Sequence, residues 1–306
     1  MIPVKPSLAQ ILLWRLEALA YDAVTGLARL FPIDGVSDFG AWLFKALGPL
    51  TGTHRVVTTN LRIAFPQASE AEIQRLARDS WAETGRVALE FPILDKIIND
   101  PGRVEVVNGE RLAEIAREGQ AVVFISGHFS SMEIMPAAIV QAGITCQITY
   151  RAMNNPFVDA SFRRSRFRYG VRLFAPKGGE SARELIRALG RGECAALMND
   201  QKFNGGVAAP LFGMTCYTAP GPSSFALRYN IPLQPMSVQR TRKARFKVLV
   251  HEAIHLEKTG DRNADIAAGV GKVNAFIEDR VRARPAEWFW VHKRWPNDLY
   301  KKSKPS

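Results

Sequence analysis

The sequence predicts an α/β fold: a mostly parallel or mixed sheet covered by helices and preceded by an N-terminal helical segment. Three observations carry this prediction. Short apolar runs alternate with helical segments between residues 103 and 200, and residues 7–98 show helical periodicity broken at prolines. The chain is also long and apolar enough for a large core, with 306 residues of which 47% are hydrophobic and 23% charged. That composition excludes collagen-like, disordered and disulfide-scaffold classes.

The first element is SLAQILLWRLEALAYDAVTGLARLF, residues 7–31. Its length would suffice to span a bilayer, but Arg15, Glu17, Asp22 and Arg29 interrupt the apolar run. Leu8, Ile11, Leu12, Leu16, Leu19, Ala20, Leu27 and Leu30 recur at helical spacing. The segment therefore reads as an amphipathic helix, lying in a membrane interface or packed on its own domain. It lacks the basic region and cleavage site of a secretory signal. Breaks follow at Phe31-Pro32, Gly48-Pro49 and Phe65-Pro66, and Ser69 with Glu72 forms a capping box that opens the next helix.

Near Asp100-Pro101-Gly102 the texture changes. RVEVVNG reads as a strand and turn, RLAEIAREG as a helix closed by Gly119, and QAVVFIS as a buried strand ending at Ser126. A helix near 131–142, strands at 145–151, 171–176 and 193–200, and helices at 156–169 and 180–192 continue the alternation. IPLQPMSVQR and RFKVLVHEAI read as paired strands, and a last helix runs from about Asp261 to Arg284. Residues 1–98 are expected to form a helical, membrane-associating segment, 99–300 one α/β unit and 301–306 a basic tail.

Forty-one Lys and Arg against 29 Asp and Glu give a net charge of +12, which favours anionic partners. No nucleic-acid partner is expected, because the basic residues lack aromatic interleaving and no helix-turn-helix, RRM or zinc signature occurs. Cys146, Cys194 and Cys216 are odd in number and widely spaced. They fit a reducing compartment, and no motif implies a metal ion or organic cofactor.

The most informative stretch is AVVFISGHFSSMEIM. His128 falls just past the carboxyl end of a buried strand, where ligands of open α/β sheets bind. On one continuous helix His128 and Glu133 would point roughly 140° apart, so the two can meet only if His128 precedes the helix. Glu133 would then fix the imidazole tautomer and leave the other nitrogen as a general base. The competing reading is a capping box between Ser130 and Glu133. Ser130 is not expected to be a hydrolase nucleophile, since G-H-F-S-S departs from G-x-S-x-G.

GHFSSMEIM resembles the H-x4-D/E acyltransferase motif, in the GHF-x-x-x-E version of the late (secondary) acyltransferases of lipid A biosynthesis. NLRIAFPQAS, RFRYG, LIRALGRGECAALMNDQ, APLFGMTCYTAPGPSSFALRYNIPLQP and PAEWFWVHKRW resemble further blocks of that family in the same order. Where many relatives have Gly-Asn-Trp or a similar triplet, this chain has Ser130-Ser131-Met132.

The resemblance implies an acyltransferase-like fold and transfer of a fatty acyl chain from an acyl carrier protein thioester to a hydroxyl of a lipid A precursor of the Kdo-lipid IVA type. It places the protein at the cytoplasmic face of the bacterial inner membrane, bound peripherally or through its N-terminus to an anionic surface. His128 is then the base and Glu133 its orienting partner. Arg168 matches the family's R-x-G position, with Arg166 its substitute if the alignment slips by two residues. Asp200 and Gln201 match a DQ pair, in which Asp200 orders the site through an arginine or caps the following turn. Two other readings stay open: a relative acting on a phosphatidylinositol mannoside or aminolipid, or using acyl-CoA, and a non-catalytic membrane-surface protein that keeps the fold.

Residues 151–191 hold ten Lys or Arg (Arg151, Arg163, Arg164, Arg166, Arg168, Arg172, Lys177, Arg183, Arg187 and Arg191) against three acids. The run would grip lipid phosphates, steer an acidic carrier or form a solvated helix face. His54, His251 and His255 are expected to be structural or surface residues. Trp288, Trp290 and Trp295, near His292, are expected to be core or interfacial anchors.

Overall fold

The computed structural model describes residues 6–150, 152–174 and 179–301. Its helical segment consists of α1 (Leu8–Ala28), α2 (Ile33–Leu47), α3 (Thr53–Ala64), α4 (Glu70–Glu90) and α5 (Leu94–Ile98). The three proline breaks separate α1 from α2, α2 from α3, and α3 from α4. Ser69 and Glu72 close the reciprocal capping box expected of them. α2 and α4 pack at a glycine crossing, where a Cβ on Gly40 would stand 2.3 Å from the Gly85 carbonyl oxygen. Only glycines allow the two backbones this close.

The rest alternates: β1 (Val104–Val107), α6 (Glu110–Glu118), β2 (Val123–Ser126), α7 (Ile134–Gln141), β3 (Cys146–Thr149), α8 (Pro156–Phe167), β4 (Leu173–Phe174), α9 (Gly179–Gly190) and β5 (Cys194–Met198). A hairpin of β6 (Val207–Leu211) and β7 (Met214–Thr218), α10 (Gly221–Tyr229), β8 (Leu233–Arg242), β9 (Arg245–Val250) and α11 (Arg262–Ala283) complete it. Among the described residues, seven strands form one sheet in the order β1-β9-β8-β2-β5-β3-β4. Every neighbouring pair is parallel except β8 with β9, so the predicted sheet is present.

The hairpin and α10 fall where no element was expected; the Phe212-Gly213 corner between two short β-rich runs was the available signal. The expected helix at 131–142 begins at Ile134, because residues 127–133 form a turn. Arg151, Lys177, the end of the strand at 171–176 and the tail from 302 lie outside the described residues.

The central strand β2 is buried along its whole length, and apolar clusters pack on both faces of the sheet. No helix among the described residues is long and apolar enough to cross a membrane. In α1 only Ala18 is buried, and the charges that interrupt its apolar run turn toward the protein. Glu17 accepts from Asn155 at 2.8 Å, Arg29 pairs with Asp95 at 2.6 Å, Asp22 lies 3.7 Å from Arg164, and Arg15 stands over the Phe157 ring. The opposite face, with Leu8, Leu12, Leu16, Leu19 and Leu27, is exposed, and so is the stacked Phe39–Trp42 pair on α2.

Candidate active site

Parallel register assembles the site. Ser126 of β2 is paired with Met198 of β5, so two residues farther along each chain His128 and Asp200 come face to face. The His128 imidazole Nδ1 lies 2.6 Å from Asp200 Oδ1, and the His128 backbone N–H donates to Asp200 Oδ2 at 2.6 Å. Oδ2 also accepts from the indole N–H of Trp288 at 2.7 Å. With Nδ1–H donating to the carboxylate, Nε2 is the free acceptor, and the Gln201 amide nitrogen stands 3.3 Å from it. Gly127 keeps the corner open, since a Cβ there would lie 2.8 Å from the Phe129 ring.

Asp200 is buried. Burial alone would raise its pKa, but the facing imidazole and the three hydrogen bonds outweigh it and hold the carboxyl at about 2. For His128, burial disfavours the imidazolium. The Asp200 charge and hydrogen bond, with a smaller contribution from Glu133, overcome this and raise the pKa above the ordinary imidazole value. His292, edge-on to His128 with ring centroids 6.4 Å apart, is shifted down by burial and by its charged neighbour.

The expected His128–Glu133 contact is therefore replaced by His128–Asp200. Glu133 instead receives a two-pronged bond from Arg166, Nε to Oε2 at 2.7 Å and Nη2 to Oε1. The competing capping box is also absent: the Glu133 side chain makes no cap bond, and the Ser130 hydroxyl donates to Glu83. Asp200 takes a histidine and an indole in place of the expected arginine.

Of the two candidate arginines, Arg166 is the one at the site. It is buried, its guanidinium 4.3 Å from the Phe162 ring centroid, while Arg168 caps the end of α8 and faces solvent. Arg163, Arg164, Arg187 and Arg191 are half or more exposed beside acids, as on a solvated helix face. His54 accepts from Trp81, His251 contacts Ser237, and His255 is exposed. Trp288, Trp290 and Trp295 are core residues, and the bond from Trp288 to Asp200 is a site contact that sequence reasoning missed.

Two cavities meet at His128. The larger, about 250 Å³, lies between the sheet and α7 and α8. Its walls are mainly apolar, including Phe124, Ile139, Ile148 and Ala196, and its polar lining comprises Ser126, Thr149, Tyr150, His128 and the Glu133–Arg166 pair. The smaller, about 70 Å³, is lined on the other side by Glu83, Ser130, Glu287 and Trp288. A histidine with Nδ1 held by a carboxylate and Nε2 facing only the Gln201 amide, beside an apolar cavity, can take up a proton next to a bound hydrocarbon chain.

The sequence is similar to known proteins over most of its length. Over 249 residues it is 22% identical to the lipid A biosynthesis palmitoleoyltransferase of Escherichia coli (strain K12), covering 78% of each chain. Over 250 residues it is 22% identical to the lauroyltransferase of the same organism, covering 79% of this chain and 78% of that one. A lipid A biosynthesis acyltransferase of Haemophilus influenzae (strain ATCC 51907 / DSM 11121 / KW20 / Rd) is 21% identical over 239 residues, 76% of this chain and 72% of that one. The family signature described as bacterial lipid A biosynthesis acyltransferase matches residues 9–297. The chain is thus an acyltransferase and belongs to the bacterial lipid A biosynthesis acyltransferase family.

Proposed function

We propose that the protein moves a fatty acyl chain from an acyl carrier protein thioester to a hydroxyl of a lipid A precursor of the Kdo-lipid IVA type. The observation that carries this reading is the position of His128, pinned through Nδ1 to Asp200 at 2.6 Å, at the mouth of the apolar cavity. Nε2 takes the acceptor hydroxyl proton as its oxygen attacks the thioester carbonyl. The tetrahedral oxyanion collapses, the C–S bond breaks, and the imidazolium returns the proton to the departing thiolate. No acyl-enzyme is required. Glu133 and Arg166 form a charged pair in the wall of the chain cavity, and Gln201 faces the nitrogen that moves the proton.

The test is mass spectrometry of micelle reactions with tetra-acylated Kdo-lipid A precursor and mixed acyl carrier protein donors, run beside coenzyme A donors. A product heavier by one acyl chain with the carrier protein donors is expected. A product with coenzyme A alone would overturn the donor, and none with either would overturn the acceptor.

In this reading the cavity measures the chain. Phe124, Ala196 and Ile148 lie on one level across three adjacent strands, four residues before the level of His128. That places them roughly 13 Å down the cavity at ~3.3 Å per strand residue. Ala196→Phe is expected to shift the products of a mixed-donor reaction to shorter chains; an unchanged distribution would remove Ala196 from the cavity floor.

We also assign the exposed apolar face of α1 and α2 to the membrane interface, on the cytoplasmic side of the inner membrane. Residues 1–98 then form the membrane-associating segment and 99–300 the catalytic unit. The double variant Leu16→Glu, Leu19→Glu is expected to weaken sedimentation with anionic phospholipid vesicles by roughly 10²-fold, the effect of keeping two leucines in water. Its melting temperature should stay unchanged, because both side chains are exposed.

A further inference from the structure

Ser130 is the one residue of the turn at 127–133 with a left-handed backbone, φ 43°. A serine holds that conformation at a cost, so neighbouring groups must stabilise it. Its backbone N–H donates to the Glu287 carbonyl and its hydroxyl to Glu83 Oε1, each at 2.7 Å and out of contact with solvent. Glu83 is itself fixed. Arg240 donates to it through Nε at 2.8 and 2.9 Å and through Nη2 at 2.7 Å, and Arg240 Nη1 donates to buried Glu90 at 2.6 Å. Glu90 also accepts from the Ser37 hydroxyl at 2.6 Å. A continuous polar chain thus runs from α2, α4 and β8 into the turn that carries His128.

We propose that Ser130 is a positioning residue for the transfer: its hydroxyl bond to Glu83 holds the left-handed turn that keeps His128 against Asp200. Two other anchors act on the histidine backbone, the N–H bond to Asp200 and the bond from the Phe289 N–H to the His128 carbonyl at 3.1 Å. After the histidine, the backbone bridge to residues 287–289 holds the outgoing chain, and the Ser130 hydroxyl adds the side-chain anchor that ties the left-handed residue to Glu83. The inference rests on the reading of His128 as the base, and its test separates the two.

Ser130→Gly removes the hydroxyl and relieves the backbone; Ser130→Ala removes the hydroxyl and keeps the strain. Both are expected to lose kcat about tenfold or more, with the KM for the acyl donor unchanged, as misplaced catalytic groups do. The alanine variant should melt below the wild type, since it loses the bond to Glu83 and keeps the strain, whereas in the glycine variant relief of the strain offsets that loss. Histidine NMR titration supplies a readout that needs no substrate. The charged and titratable groups that act on His128 are Asp200, Glu133 and His292. A turn that relaxes away from Asp200 lets the His128 pKa fall toward its ordinary value in both variants. A glycine variant with wild-type kcat and an unchanged His128 titration would overturn the proposal. If the wild type transfers no acyl chain, the reading of the function fails, while the His128 titration still decides whether Ser130 positions it.

Discussion

His128→Ala is expected to lower acyl transfer by about 10²- to 10⁴-fold, the usual contribution of a positioned base, while the protein stays folded. The fold should survive because Asp200 keeps two of its donors, the residue-128 backbone N–H and the Trp288 indole, so the buried carboxylate is not left unpartnered. Product mass spectrometry and thermal melting together check this. Transfer at the wild-type rate by the alanine variant would remove the base assignment. The wild-type pH profile gives a parallel check. A base acts when neutral and the His128 pKa is raised, so kcat/KM should fall with decreasing pH through an acid limb above the ordinary value of about 6.5.

Asp200→Asn is expected to be nearly as damaging, for a reason that follows from its hydrogen bonds. Oδ2 accepts two N–H donors, from His128 and Trp288, and an asparagine there must keep its carbonyl oxygen in that place. Its amide NH2 then faces Nδ1, where Oδ1 stood. The imidazole must accept at Nδ1 and carry its proton on Nε2, the tautomer that cannot act as the base. We expect a loss of roughly 10²- to 10⁴-fold in kcat. The sign of the pH effect is also set: the Asp200 charge raises the His128 pKa, so its removal moves the acid limb of the residual activity to lower pH. Wild-type rates with an unmoved limb would return the orienting role to Glu133.

Much of this arrangement could be read along the chain. The proline breaks, the Ser69–Glu72 cap, the buried strand ending at Ser126 and the place of His128 beyond it are local features, written in residues next to one another. The partner of His128 is not local. Asp200 becomes its neighbour only because β5 lies beside β2, and strand order is set by packing across the whole sheet. Trp288 is hidden for the same reason, arriving by an isolated bridge to Phe129 from the far end of the fold. Arg166 was expected only as the substitute for Arg168. It stands four residues after Phe162 on α8 and so shares its inward face, whereas Arg168 falls where the helix stops.

The bridge between Phe129 and Trp288 bears on the order in which the protein is made. The turn with His128 leaves the ribosome long before the indole that completes the Asp200 hydrogen bonds, with 160 residues between positions 128 and 288. At synthesis rates of about 5–20 residues per second, roughly 8–32 s separate the two. During that interval α1 is already outside the ribosome and the imidazole lacks its complete surroundings. On the membrane assignment proposed for α1, a nascent chain can reach a lipid surface before the site that would act there is complete, and the site is complete only once nearly the whole polypeptide has been translated.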